Sequence, residues 1–171
     1  MIKNQNVSNE KDLLITHVFN ASRDIVFRAW TDPQYLKEWF APDGCTIEYK
    51  KIEVRENGKY HSQLHDPLHG DCWIKGIYHE VVVPEKLVFS SILTNEAGED
   101  MDSVEAGKPK DWPNEIMTTV TFTAIGNSMK VTVHQTVPEV LAKKTGAYQS
   151  WFKMFVRLES NLVQPVNEKH E

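Results

Sequence analysis

The stretch that decides the fold is GAYQSWFKMFVRLESNLV, residues 146–163. Its apolar residues recur every three or four positions, as they do on one face of a helix; they are Tyr148, Trp151, Phe152, Phe155, Leu158, Leu162 and Val163. This is the longest segment with helical periodicity in a chain whose other segments are mainly typical of strands. A single long helix with an aromatic face needs an apolar surface to cover, and the rest of the chain is expected to supply it.

The segments ahead of this helix are typical of β-strands joined in hairpins. Runs of apolar and β-branched residues are separated by turn signals such as Asn57-Gly58, Pro84-Glu85 and Gly126-Asn127. Because successive hairpins build an antiparallel sheet, the helix can hide one face of that sheet by lying across it. The pattern predicts an α+β domain with seven strands, at residues 13–20, 45–54, 59–65, 72–83, 86–93, 115–124 and 128–137.

Two short helices are predicted directly after the first strand. Ser22 is a candidate N-cap, and the residues after it place Ile25, Val26, Ala29 and Trp30 at helical spacing. Asp32 is a candidate cap for the second helix, with Pro33 at the first helical position.

A long acidic connection separates the fifth and sixth predicted strands. It covers Thr94 to Asn114 and includes Trp112. Loops of this length are unusual in compact domains and are often functional, so a solvated loop, a lid carrying Trp112 and a docking surface for a partner all stay open. We expect one domain over residues 12–164, with flexible tails at 1–11 and 165–171.

Composition excludes several classes of function. The 171 residues carry a net charge of −5 without a cluster of Lys and Arg, which argues against nucleic acid as a partner. No apolar run is long enough for a membrane span or a signal peptide. The two cysteines, Cys45 and Cys72, are too few for a disulfide framework, and a cytoplasmic protein is expected.

Motifs spread over nearly the whole chain resemble those of one family. They are Trp30 with Thr31-Asp32-Pro33 and Trp39-Phe40, Gly58 ahead of Tyr60, Ser62 and Leu64, Gly76 with Glu80, PEKLVFS at 84–90, KVTVHQTVP at 130–138, and Trp151 with Phe155, Leu158 and Leu162. On these residues the chain resembles the homologues of the activator of the Hsp90 ATPase, a branch of the SRPBCC, or START/Bet v 1-like, superfamily. Asn57 and Ser150 stand where this family usually has glycine.

The resemblance implies the helix-grip fold, in which a curved seven-stranded sheet grips the C-terminal helix. It also implies a cavity between sheet and helix that holds lipid, polyketide or flavonoid-like ligands in some members. Other members act as chaperone cofactors or as aromatase/cyclases. The candidate lining residues are Trp30, Trp39, Phe40, Tyr60, Ser62, Leu64, Trp112, Gln135, Trp151 and Phe155.

Strand alternation also indicates that polar side chains face the interior of the domain. Gln135 shares a strand face with Val131 and Val133, and a buried amide without a partner costs about 1–3 kcal/mol. Such a group bonds to a ligand, to water or to an internal network, and all three alternatives stay open. Trp151 and Phe155 likewise have two open roles, as core residues and as the lid of a pocket.

The sequence gives little support for catalysis or for a metal site. In a strand, His61 and His65 are about 13 Å apart on one face, so the histidines and Cys72 are expected on a solvated outer face rather than around a metal. Neither cysteine has a catalytic context, and no GxSxG motif occurs. We predict no catalytic residue, no metal and no cofactor, and leave enzyme activity open; acid–base candidates are Tyr78, Glu80 and His134.

Three functions therefore remain as hypotheses. The first is binding of a hydrophobic small molecule in the cavity, without covalent chemistry. The alternatives are a protein-interaction module such as an Hsp90-type chaperone co-activator, and a cyclase, aromatase or hydrolase that uses the cavity. The last needs two titratable groups within reach of a ligand.

Overall fold

The computed structural model describes residues 11–163. The predicted tails, residues 1–11 and 165–171, lie outside the described residues except for Lys11. In chain order the elements are β1 (Asp12–Phe19), α1 (Arg23–Thr31), α2 (Pro33–Trp39), β2 (Thr46–Ile52), β3 (Lys59–His65), β4 (Cys72–Val82), β5 (Lys86–Thr94), β6 (Glu115–Ile125), β7 (Ser128–Pro138), α3 (Glu139–Thr145) and α4 (Ala147–Val163).

The seven strands form one antiparallel sheet in the order β1-β7-β6-β5-β4-β3-β2. The first strand is an edge strand that pairs with the last, with Phe19 opposite Met129. Register shifts follow Tyr49 in β2 and Tyr78 in β4, and such bulges bend a strand. The predicted α+β helix-grip fold, with two short helices after the first strand, is confirmed.

The helix α4 lies across the inner face of this sheet. Trp151, Met154, Phe155 and Leu158 are at most 7% exposed. Phe155 meets Phe19 of β1 in a T-shaped contact, with ring centroids 5.5 Å apart. The predicted apolar face differs at Phe152, which is 39% exposed.

Local chemistry explains where α2 begins. The Asp32 side chain accepts a 3.0 Å hydrogen bond from the backbone N–H of Gln34, and Pro33 occupies the first helical position, as predicted. Ser22 also stands at the N-cap of α1, but its side chain makes no capping hydrogen bond.

A further helix, α3, was not expected from the sequence. It follows β7 directly and ends at Gly146, whose φ of +84° lies in the left-handed region that favours glycine. Its only buried residue is Ala142, while Val140 is 66% exposed. A helix with so narrow an apolar face has little helical periodicity, which is why the pattern did not reveal it.

The connection from 95 to 114 folds back on itself rather than forming an extended loop. Ser103 is buried; its N–H donates to Asn114 Oδ1 and its hydroxyl donates to the Trp112 carbonyl. Lys75 of β4 pairs with Asp100 at 2.6 Å, which ties the connection to the sheet. None of the helices within residues 11–163 combines the length and the hydrophobicity that a membrane span requires.

Candidate functional site

A small internal cavity lies between α1, α2 and the end of the sheet formed by β2 to β5. Its volume is about 70 Å³, and it is lined by Trp30, Leu36, Phe40, Ile47, Tyr49, Tyr60, Ser62, Ile74, Tyr78, Phe89 and Ser91. Most of these side chains are apolar or aromatic, and the polar groups that they bring to the lining are tyrosine and serine hydroxyls. A water molecule occupies about 30 Å³ of liquid, so this space holds about two waters.

Glycine and a hydrogen bond set the position of Tyr60 in this lining. A Cβ atom at Gly76 would overlap the Ser90 carbonyl oxygen and the Tyr60 ring, so the absence of a side chain lets the ring cross β4. The Tyr60 hydroxyl then donates to that same Ser90 carbonyl at 2.7 Å and lies 2.8 Å from Ser91 Oγ. The Tyr60 phenol is therefore fixed by the protein itself.

The lining carries no side chain that is charged at neutral pH. Burial raises the pKa of the Tyr60 and Tyr78 phenols well above the ordinary value, and the neighbouring Tyr60 raises the pKa of Tyr78 further. Burial also raises the pKa of Tyr49, with Tyr78 and Tyr60 contributing. All three phenols are neutral, and they offer hydrogen bonds without charge.

One fully buried polar side-chain atom of the residues around the cavity has no hydrogen-bond partner between residues 11 and 163. Trp30 is 2% exposed, and its Nε1 forms no hydrogen bond with any residue between 11 and 163. Two neighbouring indoles differ in this respect. Trp39 Nε1 donates to the Ala29 carbonyl at 2.9 Å, and Trp151 Nε1 donates to Gln135 Oε1 at 3.0 Å.

The structure brings four of the ten predicted site residues together around the cavity: Trp30, Phe40, Tyr60 and Ser62. The other six lie outside its lining. Trp39, Trp151 and Phe155 pack around Trp30, with ring centroids 4.7, 6.1 and 6.3 Å from it. The remaining three are Leu64, half-buried in β3; Gln135, bonded to Thr118 and Trp151; and Trp112, packed against the core from the connection.

The cavity also lies elsewhere than the sequence suggested. It was expected under the C-terminal helix, but the described residues of α4 contribute nothing to its lining. Trp151 and Phe155 fill the space beneath α4 with aromatic contacts instead. Gln135 belongs to an internal hydrogen-bond network, one of the alternatives that the sequence left open.

The sequence analysis missed Leu36, Ile47, Tyr49, Ile74, Phe89 and Ser91 as lining residues, and considered Tyr78 only for acid–base chemistry. Alternation along β4 places Ile74, Gly76 and Tyr78 on one face. This pattern could have identified Ile74 and Tyr78 as lining residues. The bulges after Tyr49 and Tyr78 interrupt that alternation. The strand pattern alone therefore does not predict which face Glu80 occupies.

Neither of the two other acid–base candidates reaches the cavity. Glu80 is exposed and pairs with Lys86 at 2.7 Å, while His134 is 3.0 Å from Asp12 at the sheet edge. The predicted outer-face histidines have separate partners: His61 contacts Thr94, His65 contacts Asp71 and His69 contacts Asp66. Within residues 11–163, no three His, Cys, Asp or Glu side chains are grouped to hold a metal ion.

A larger cleft of about 370 Å³ lies between α1 and the turn that joins β4 to β5. Its walls include Phe27 and Val81, with Asp24 and Arg28 at the rim. It is broadly open to solvent, so a molecule there would bury little of its surface. The internal cavity is the better candidate site because its walls would surround most of the surface of a bound molecule.

Solved structures share this architecture at low sequence identity. A protein of Staphylococcus epidermidis is 19% identical with a TM-score of 0.76, covering 95% of each chain. A protein of Chromobacterium violaceum is 19% identical with a TM-score of 0.73, covering 90% of this chain and 97% of that one. The AHSA1 protein of Silicibacter pomeroyi is 13% identical with a TM-score of 0.67, covering 89% and 97%. These likenesses show the fold.

A search of curated proteins finds no match to this sequence. The family model described as "Activator of Hsp90 ATPase homolog 1-like protein" matches residues 20–162, from the end of β1 to the last turn of α4. That range contains the two short helices, the cavity lining and the aromatic face of α4. The chain therefore belongs to the family of activator of Hsp90 ATPase homologue 1-like proteins.

Proposed function

We propose that this protein binds a small, uncharged and mostly apolar molecule in the cavity beneath α1 and α2. The observation that carries the proposal is an unfilled space in an otherwise aromatic core, with apolar walls and neutral hydroxyls. Enclosed apolar sites with a few polar groups are the usual form of small-molecule sites. Both cysteines are free thiols, and we propose the cytoplasm as the compartment.

The size of the cavity sets a condition on binding. Small-molecule sites usually measure about 300–1,000 Å³, so a ligand with an aromatic ring must widen the space of about 70 Å³ seen here. Among the lining residues, Phe40 is the one whose side chain can move most easily to widen the cavity. It is half-buried, it follows the last turn of α2, and its ring packs 5.7 Å from Trp151.

We propose direct ligand contacts for Trp30, Phe40, Tyr60 and Ser62. Trp39, Trp151 and Phe155 would hold the Trp30 ring in place from behind. Contacts from Leu64, Gln135 and Trp112 stay predictions that require the cavity to extend further. Binding would gain about 25 cal/mol for each Å² of apolar surface removed from water.

Thermal shift and tryptophan fluorescence with naringenin and acetophenone test the proposal. We expect saturable stabilisation by at least one of them, and tighter binding to Phe40→Ala, which enlarges the cavity. Ser62→Leu fills the cavity from a residue that is 3% exposed and should abolish binding. Phe152→Ala, on the outer side of α4, is the matched control for Phe40→Ala and should bind as the wild type does.

The proposal fails if no compound stabilises the wild type or Phe40→Ala. It also fails if Ser62→Leu binds as tightly as the wild type, because the ligand would then lie elsewhere.

The family name supports a second candidate, in which the protein contacts a chaperone. The matched model is named for an activator of the Hsp90 ATPase, and α4 exposes Phe152 and Val156, at 39% and 62%, on its outer side. The test is the ATPase rate of Hsp90 with the wild type and with Val156→Asp. An unchanged rate with the wild type would remove this candidate.

A further inference from the structure

Two tyrosine hydroxyls of the cavity lining have no hydrogen-bond partner among the described residues. Tyr49 of β2 and Tyr78 of β4 both line the cavity, and no group within residues 11–163 bonds to either hydroxyl. Both hydroxyl oxygens keep accessible surface, whereas the Nε1 atom of Trp30 has almost none. Since Tyr78 is only 5% exposed and borders the cavity, a molecule in the cavity can reach its hydroxyl.

The two tyrosines border the same space from different strands. Tyr49 lies opposite Ser62 in the β2–β3 pair, and the Tyr78 ring is 5.7 Å from the ring of Tyr60, which is also in β3. After burial, the Tyr78 phenol is the largest cause of the raised pKa of Tyr49, as expected when the two phenols are close. One occupant of the cavity can therefore contact both hydroxyls.

The other hydroxyls of the lining already donate their protons within the protein. A carbonyl can only accept, so the Tyr60 hydroxyl donates its single proton to the Ser90 carbonyl at 2.7 Å. The 2.8 Å bond between Tyr60 and Ser91 Oγ is then donated by Ser91. The Ser62 hydroxyl donates to the Ile74 carbonyl at 3.4 Å. None of these three hydroxyls has a proton left for a ligand.

The two remaining O–H donors determine which polar group suits the occupant. The protons of Tyr49 and Tyr78 need acceptors, because a buried donor without an acceptor is unfavourable. A ligand that only donates would bond to the phenol oxygens and leave both protons without acceptors. A carbonyl or ether oxygen accepts these protons and has none of its own to place.

We infer that Tyr49 and Tyr78 select the ligand of this cavity by donating hydrogen bonds to the acceptor oxygen of an uncharged ketone, ester or ether. This inference rests on the proposed function and specifies the ligand class of the same site. The two phenols thereby distinguish between apolar molecules of equal shape. The hydroxyls of Tyr60, Ser62 and Ser91 contribute no donor to this choice.

Two probes of nearly equal shape test the inference. Acetophenone carries a carbonyl oxygen, and α-methylstyrene replaces that oxygen by a CH₂ group. Both are titrated into the wild type and into Phe40→Ala, whose cavity is larger, and NMR spectra give the dissociation constants. The infrared carbonyl stretch of bound acetophenone is recorded in the same proteins. We expect this stretch at a lower frequency than in hexane, because a hydrogen bond weakens the C=O bond.

The decisive variants are Tyr49→Phe and Tyr78→Phe, each made in the wild type and in Phe40→Ala. Neither hydroxyl bonds to the described part of the protein, so both variants should fold. We expect each to weaken acetophenone binding about fivefold, to change α-methylstyrene binding less than about twofold, and to raise the carbonyl frequency. Tyr35→Phe is the matched control, because this α2 tyrosine is 37% exposed and lies outside the lining.

The outcomes separate this inference from the proposed function. If neither probe binds the wild type or Phe40→Ala, the proposed function fails and the inference fails with it. If both probes bind but Tyr49→Phe and Tyr78→Phe leave the ratio of their dissociation constants unchanged, the function stands and the inference is overturned. A change in only one variant overturns the role of the other tyrosine. An equal change in Tyr35→Phe also overturns the inference, because the effect would then not arise in the cavity.

Discussion

The Trp151 indole N–H donates a 3.0 Å hydrogen bond to Gln135 Oε1, which joins α4 to β7. The Gln135 amide in turn donates to Thr118 Oγ1 of β6 at 3.0 Å. The polar group on the inner face of the sheet is thus satisfied within the protein, and it fixes the rotation of α4 over the sheet.

Replacing Gln135 by Met should lower the free energy of unfolding by about 1–3 kcal/mol, because it leaves the Trp151 donor and the Thr118 hydroxyl without their partner. Trp151→Phe in the Gln135→Met background should cost less than Trp151→Phe alone. Urea unfolding of the four proteins gives the coupling energy. Gln63→Met is the control, since Gln63 bonds to Asp71 at the surface; an equal loss there would contradict the argument.

Arg157 holds α4 to the segment that follows α2. Its guanidinium donates to the carbonyls of Trp39 and Ala41, at 3.3 and 2.8 Å, and to Asp43 at 2.6 Å. We expect Arg157→Met to cost about 2 kcal/mol, since hydrogen bonds to charged groups contribute about 1.5–3 kcal/mol. Arg157→Lys should recover only part of this loss, because it lacks the planar fork.

Lys153→Met is the matched control for Arg157. Lys153 is 3.8 Å from the same Asp43, and both side chains are more than half exposed. Surface pairs of this kind contribute about 0–1 kcal/mol. An equal loss of unfolding free energy in Lys153→Met and Arg157→Met would contradict the argument. It would show that Arg157 stabilises the protein through the charge of Asp43 rather than through its two hydrogen bonds to carbonyls.

Gly76→Ala should be strongly destabilising, by about 3 kcal/mol, because the added Cβ meets the Ser90 carbonyl oxygen, which belongs to the backbone of the neighbouring strand. It should also displace the Tyr60 ring and lower the affinity for any ligand of the cavity. Gly70→Ala is the control: its Cβ would meet nothing within 4 Å, but its φ of +89° costs about 1–2 kcal/mol. Equal losses at the two sites would exclude the proposed overlap at Gly76.

Stability should fall at alkaline pH because of the cavity phenols. Below about pH 10, the ordinary pKa of tyrosine, these phenols are protonated in both the folded and the unfolded state and add no pH dependence. Above it, the unfolded chain releases protons that the folded chain keeps, since burial raises the folded-state pKa of Tyr49, Tyr60 and Tyr78. The free energy of unfolding therefore decreases, by about 1.4 kcal/mol per pH unit for each such phenol.

Urea unfolding between about pH 8 and pH 11 measures this slope. Tyr78→Phe should make the slope shallower by the contribution of one phenol, while leaving the stability at neutral pH within about 1 kcal/mol. An unchanged slope in Tyr78→Phe would show that other groups cause the alkaline loss.

The sequence was a good guide where short-range chemistry decides the structure. Asp32-Pro33 begins α2 as predicted, since a cap and a fixed φ act within a few residues. The face of α4 that carries Trp151 and Phe155 follows from helical spacing alone. By contrast, α3 has one buried residue and depends on its neighbours, so its sequence pattern is weak.

The cavity was harder to predict because four strands and two helices meet there. Alternation placed Tyr60 and Ser62 on the inner face, where both line the cavity. Tyr49 and Tyr78 lie at bulges, whose positions depend on pairing with the neighbouring strand. The indole N–H of Trp151 has a hydrogen-bond acceptor and that of Trp30 has none within residues 11–163. This difference depends on distances between elements, which no local sequence pattern encodes.

The pairing of β1 with β7 has a consequence for synthesis on the ribosome. Thr16 and Thr132 face each other across this pair, although 116 residues separate them in the chain. At about 5–20 residues per second, β1 waits between roughly 6 and 23 s for its partner strand. During that time its apolar side chains, Leu13, Ile15 and Phe19, stay uncovered, because α4, against which Phe19 packs, is made later still. The edge strand β1 is thus the first strand made, although its only neighbour in the sheet is the last strand made.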